Sequence, residues 1–103
     1  MAKKIMLFCA AGMSTSLLVS KMKKEAQAQG KDYEISAYPE SKYKELAPQA
    51  DAILIGPQIR YALEKMKKEH PEYKVAAIPM QMYGMMDGKG VLVLAEELMN
   101  EKK

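Results

Sequence analysis

At 103 residues, with 49% apolar and 28% charged side chains, the chain has the make-up of one ordinary globular domain and is too short for two cores. Its 16 basic residues are scattered among 13 acids for a net charge of +3, which argues against a dedicated nucleic-acid surface, and no apolar run approaches the ~20 residues that span a bilayer. Cys9 is the only cysteine, so no internal disulfide can form and a reducing cytoplasm is the expected compartment.

Punctuation falls at regular intervals along the chain. Lys4 to Cys9 is a short apolar run ending in Ala10-Ala11-Gly12, which reads as a buried strand and a turn. The run is too short for a signal peptide. From Ser14 to about Gln29 the composition predicts a helix with Leu18, Met22 and Ala26 on one face and Gly30 as its stop. Tyr33 to Tyr38 reads as a strand with polar positions, ending at Pro39. A short helix is expected from Lys42 to Ala47, capped by Ser41 with Pro48 beyond, and Ala52 to Ile55 is a second fully apolar strand closed by Gly56. The clearest helix starts at Pro57, carries Ile59, Ala62, Leu63 and Met66 on its stripe, and ends at His70-Pro71. Lys74 to Ile78 is a fourth strand stopped at Pro79, and a last helix runs from about Gly88 to Asn100 with Val91, Leu94, Ala95 and Leu98 inward.

The order βαβαβαβα implies an α/β domain with a parallel sheet covered by helices on both faces. Strands buried on both faces are apolar throughout, so Ile5–Cys9 and Ala52–Ile55 belong in the centre, and Tyr33–Tyr38, with Glu34 and Ser36, at an edge. Right-handed crossovers then give the strand order 2-1-3-4. The winding reverses between strands 1 and 3, and ligands bind beyond the carboxyl ends of strands at such a switch. Cys9 lies there.

The segment Cys9-Ala10-Ala11-Gly12-Met13-Ser14-Thr15-Ser16 leads straight into a helix. Small residues and Gly12 allow the backbone to curl so that successive N–H groups converge on one point, and the helix N-terminus adds further unpaired donors. A phosphate is stabilised in such a place, and so is a thiolate nucleophile. Ser14, Thr15 and Ser16 can cap the helix or offer hydroxyls to phosphate oxygens. A cysteine alone commonly fills space in a core, and a Ser/Thr run alone is commonly a cap; their coincidence at the switch point is what favours chemistry.

The spacing Cys-x5-x-Ser resembles the loop of low-molecular-weight tyrosine phosphatases, Cys-x5-Arg-Ser, with Thr15 in the arginine position. More closely, Leu7 to Val19 resembles the active-site segment of IIB proteins in the lactose/cellobiose/chitobiose class of the phosphoenolpyruvate-dependent sugar phosphotransferase system. Gly56-Pro57-Gln58-Ile59 and Tyr83-Gly84-Met85-Met86-Asp87-Gly88 resemble further segments of that class. The resemblance spans nearly the whole chain, residues 1–103, as a single IIB domain. It implies a four-stranded parallel sheet and a phosphocysteine intermediate at Cys9, with Ala10, Ala11, Gly12, Met13, Ser14, Thr15 and Ser16 binding the phosphoryl oxygens. It also implies a phosphohistidine donor on a IIA partner. The acceptor it implies is a sugar, a β-linked disaccharide such as cellobiose or chitobiose, bound by a membrane IIC partner to which a cytoplasmic domain would be peripheral. No metal or organic cofactor is expected.

The rival reading is a small cysteine-dependent phosphatase or arsenate-reductase-like enzyme using the same loop. It lacks the arginine that would clamp the transition state, and arsenate reduction would also want resolving cysteines. A redox module with an oxidisable Cys9 is a third reading, opposed by the phosphate-shaped loop. Elsewhere, His70 reads as a helix C-terminal residue remote from Cys9, and Asp87 as the N-cap of the last helix. Met80, Met82, Met85 and Met86 either pack beneath their loop or form an adaptable docking rim. Arg60, the only arginine, and the lysine-rich stretches at 21–24 and 65–68 read as solvent-facing.

Overall fold

Burial at successive positions, shared alternately between two faces, shows how the central strands hold two cores apart. In the computed structural model, which describes residues 3–9 and 12–100 (without the side chains of 12–15), β1 (Lys3–Cys9) sends Ile5 and Leu7 to one face and Met6 and Phe8 to the other. β3 (Ala52–Ile55) does the same with Leu54 against Ile53 and Ile55. Side chains repeat every two residues in a strand, so a run apolar at every position must be covered twice. One cover is made by α1 (Gly12–Ala28) and α5 (Gly88–Met99), whose Leu18, Val19, Met22, Val91, Leu92 and Ala95 are buried. The other is made by α2 (Tyr43–Leu46), α3 (Leu63–Glu69) and the turns beside them, through Tyr43, Ala47, Ile59 and Met66.

All strand pairs are parallel, and the order is β2-β1-β3-β4, with β2 (Tyr33–Pro39) and β4 (Val75–Ala77) at the edges. This is the order the crossover argument requires, and it is the arrangement of the low-molecular-weight tyrosine phosphatases. α1 closes in a Schellman motif, with Gly30 N–H donating to Gln27 C=O at 3.0 Å and Lys31 N–H to Ala26 C=O at 2.9 Å.

Four local expectations are corrected. α1 begins at Gly12 rather than Ser14, because none of Met13, Ser14, Thr15 and Ser16 breaks a helix; residues 12–16 are therefore its first turns and not a loop. The segment around Ser41 is a 3₁₀ turn (Glu40–Lys42), then α2, then a second 3₁₀ turn (Ala47–Gln49). Ser41 caps nothing there, and Pro48 sits inside the final turn, where a missing N–H costs little. The helix expected from Pro57 starts instead as a 3₁₀ segment (Pro57–Ala62) broken at Ile59 (φ −118°, ψ 26°), and only α3 is α-helical. An i, i+3 apolar spacing is shared by both helix types, so the stripe could not tell them apart. Finally, α4 (Met80–Gly84), a single turn after β4, was not foreseen; five residues are too few to display a period.

Candidate functional site

Cys9 is the last residue of β1, in register with Pro39 on the β2 side. On its other side Gly56 N–H donates to Phe8 C=O at 2.8 Å, which ties the turn after β3 to the residue before the thiol. Cys9 thus stands at the carboxyl edge between β1 and β3, where the direction of winding reverses, and α1 begins three residues later. Its side chain is fully buried, at 0% exposure. Ala10 and Ala11 lie outside the described residues, as do the side chains of Gly12, Met13, Ser14 and Thr15. Of the expected phosphate-binding set, only Ser16 has a described side chain, and it is exposed on the second turn of α1.

Gly56 explains how the neighbouring turn comes so close. A Cβ on this residue would lie 3.0 Å from Cys9 Cβ and 2.7 Å from Gln58 Oε1, closer than side-chain carbons normally approach. Pro57 opens the 3₁₀ segment, and the break at Ile59 turns that side chain into the second core while Gln58 stays at the surface.

The other elements leaving this edge carry apolar side chains outward. Leu17 on α1, Tyr61 after β3, and Met80 and Met85 around α4 are each more than half exposed. Met82 and Met86 instead pack against the core beneath, so the methionine cluster divides into two that support the loop and two that face solvent. Arg60 is exposed and, with Lys67, Met80 and Pro79, lines a groove of about 530 Å³ beside the carboxyl end of β4.

The remaining singled-out residues fall where their chemistry placed them. Asp87 is the N-cap of α5, its carboxylate accepting from Gly90 N–H at 3.0 Å. His70 terminates α3 at the amino end of β4, stacked on Tyr73 with centroids 4.5 Å apart and its Nδ1 3.3 Å from Glu72 Oε2. It is at the opposite edge of the sheet from Cys9. Among the described residues no group of three or more His, Cys, Asp or Glu is placed to hold a metal ion, and no helix is long and apolar enough to cross a membrane.

Gln58 is the residue that composition and spacing did not single out. Its only signal is its place in Gly-Pro-Gln, directly after an apolar central strand.

Comparison with known proteins agrees with this geometry. Residues 4–93 match the family model described as the PTS system, lactose/cellobiose specific IIB subunit. The chain is 48% identical over 99 residues to the oligo-beta-mannoside-specific EIIB component of Bacillus subtilis (strain 168), covering 94% of this chain and 96% of that one. It is 45% identical over 108 residues to the galactose-specific EIIB component of Lactococcus lactis subsp. cremoris (strain MG1363), covering 95% and 97%. Among solved structures, the cellobiose-specific phosphotransferase IIB component of Borrelia burgdorferi superposes with a TM-score of 0.82 at 32% identity, over 97% of this chain and 94% of that one. The fold, the switch-point edge and these relatives lead to one assignment: the chain belongs to the lactose/cellobiose-specific IIB family and is a phosphotransferase component of a sugar phosphotransferase system.

Proposed function

We propose that Cys9 is the phosphoryl carrier of this IIB subunit. The observation that carries the reading is the position of the one thiol at the end of β1, between β1 and β3, with a helix starting three residues on. The donor is a phosphohistidine on a IIA partner. The thiol gives its proton to solvent, the thiolate attacks phosphorus, an S–P bond forms as the N–P bond breaks, and the electron pair returns to the imidazole nitrogen. In the second step a hydroxyl oxygen of a sugar held by the IIC permease attacks phosphorus. The O–P bond forms, the S–P bond breaks, sulfur leaves as thiolate, and the hydroxyl proton passes to a base.

Residues 10–16 supply the donors in this reading: backbone N–H groups where α1 begins and the hydroxyls of Ser14, Thr15 and Ser16. Thr15 in place of arginine suits a carrier, because a neutral site holds the phosphoryl group without the charge stabilisation that favours attack by water. Since the Cys9 side chain is buried, its sulfur must be uncovered as a partner docks. The exposed Leu17, Tyr61, Met80 and Met85 leave the same edge and form the apolar docking rim. The acceptor is a β-linked disaccharide of the cellobiose or chitobiose type; relatives named for an oligo-beta-mannoside and for cellobiose support that class. The subunit works in the cytoplasm, at the membrane only through IIC.

The test is a two-step transfer. Full-length chain incubated with phosphorylated IIA should gain one phosphate, then lose it to sugar when IIC-containing membranes and cellobiose or chitobiose are added. Phosphate lost at the same rate without IIC, as free phosphate, would mean hydrolysis and would overturn the carrier reading in favour of a phosphatase.

A further inference from the structure

The turn after β3 brings a second polar group to the neighbourhood of Cys9. Gly56 is extended (φ −67°, ψ 156°), and its missing side chain leaves a point within 3.0 Å of both Cys9 Cβ and Gln58 Oε1. The Gln58 carboxamide oxygen and Cys9 Cβ therefore flank the same bare point over Gly56, and Gln58 is itself a surface residue. It approaches from the β3 side, whereas the amides at the start of α1 belong to the β1 side.

A phosphoryl group on sulfur brings terminal oxygens that share up to two negative charges, and each oxygen can accept more than one hydrogen bond. A carboxamide carries two N–H donors beside its oxygen, and rotation about its last torsion exchanges which end faces a neighbour. From this shared position over Gly56 we infer that Gln58 is a binding residue for the phosphoryl group on Cys9, donating from Nε2 to an oxygen that stays on phosphorus throughout transfer. Gln58 forms and breaks no covalent bond. It provides from β3 a neutral donor where an arginine would bring a full positive charge, so the group is held but remains transferable. This inference rests on the carrier reading of Cys9.

The experiment compares wild type, Gln58→Ala and Gln58→Glu, each full length, for the rate at which phosphorylated IIA labels Cys9 across pH 5 to 8 and for melting temperature. Loss of one hydrogen bond to a charged group should slow labelling about tenfold in Gln58→Ala. Gln58→Glu should be slower still near pH 7, because a carboxylate would face the incoming phosphoryl charge, and should recover towards the alanine rate as acid neutralises it. A merely structural role would shift melting without that pH profile, since the surface position of Gln58 gives neither change a buried cavity to open. Wild-type rates in both variants, or equal deficits with no pH dependence, would overturn the inference while leaving the carrier reading intact. A wild-type chain that takes no phosphate on Cys9 would remove both.

Discussion

Two tyrosines make a controlled comparison, because the same deletion of one hydroxyl should move stability in opposite directions. Tyr33 opens β2, and its hydroxyl donates to Glu96 Oε2 on α5 at 2.7 Å, where Lys31 also bonds the carboxylate. This cluster joins positions 63 and 65 residues apart in sequence and fixes α5 against the edge strand. Hydrogen bonds to charged groups are worth about 1.5–3 kcal/mol. The Glu96 and Lys31 side chains keep 18% and 37% of their exposure, so solvent screening places Tyr33→Phe near the lower limit, at about 1–2 kcal/mol. For a domain of this size that is a fall in melting temperature of roughly 5–10 °C. Tyr43 differs: its ring is buried in the second core and its hydroxyl is buried with no hydrogen-bond partner among the described residues. Tyr43→Phe removes a desolvated group and keeps the ring contacts to Phe8 and Tyr73, so melting should stay level or rise by a few degrees. Differential scanning calorimetry of both variants is the assay. Unchanged melting in Tyr33→Phe, or a comparable fall in Tyr43→Phe, would refute the reasoning.

The sign of the pH dependence follows from the same cluster. The bond from Lys31, and then that from Tyr33, hold the Glu96 carboxyl below its ordinary 4.5 despite the opposing effect of burial. A lowered carboxyl adds stability above its unfolded value and loses it as pH falls through the folded one. Burial, then the bond to Glu96, push Tyr33 from 10.0 up to about 12, so its contribution is present below pH 10 and lost as pH rises through the folded value. The deficit of Tyr33→Phe should therefore be widest between about pH 5 and 10.

Two further outcomes test the packing and the docking edge. A Cβ on Gly88 would lie 2.7 Å from Lys21 Cβ and 2.9 Å from Met22 N, so Gly88→Ala must push α5 off α1; it should cost about 1–3 kcal/mol in urea unfolding, and full wild-type stability would contradict the close approach. Met80→Lys with Met85→Lys should slow phosphate transfer from IIA at least tenfold without lowering melting temperature, because both side chains face solvent; unchanged transfer would place the interface elsewhere.

Much of this architecture is legible in the sequence because the central strands are apolar at every position. Ile5 to Phe8 and Ala52 to Ile55 declare two buried faces, and Glu34 and Ser36 mark an edge, which is enough to order the sheet. Asp87 was readable because capping is local chemistry between a carboxylate and an N–H three residues on. The kink at Ile59 was not readable. It is set by how deep that side chain reaches into the core below Phe8, a tertiary demand that a helical stripe does not encode. Nor was the split of the methionines: a single turn of α4 separates Met80 from Met82, and beyond the helix the left-handed Met86 (φ 53°) packs on the core while Met85 faces solvent. At the site, the cysteine advertises itself by type, whereas Gln58 gains its place through the missing side chain of Gly56, which the sequence does not reveal as a point shared with Cys9.

The central claim is that phosphate travels on Cys9, and mapping the modified residue tests it most directly. Full-length chain labelled by phosphorylated IIA would be digested at neutral pH and the phosphate located by tandem mass spectrometry, beside Cys9→Ser and His70→Ala variants. A serine oxygen is a poorer nucleophile at neutral pH and, once phosphorylated, a much poorer leaving group. The account predicts one phosphate, on the peptide containing Cys9, retained in His70→Ala and not passed on to sugar by Cys9→Ser. Phosphate on His70, persisting in Cys9→Ser, would contradict it and make the opposite edge of the sheet the working one.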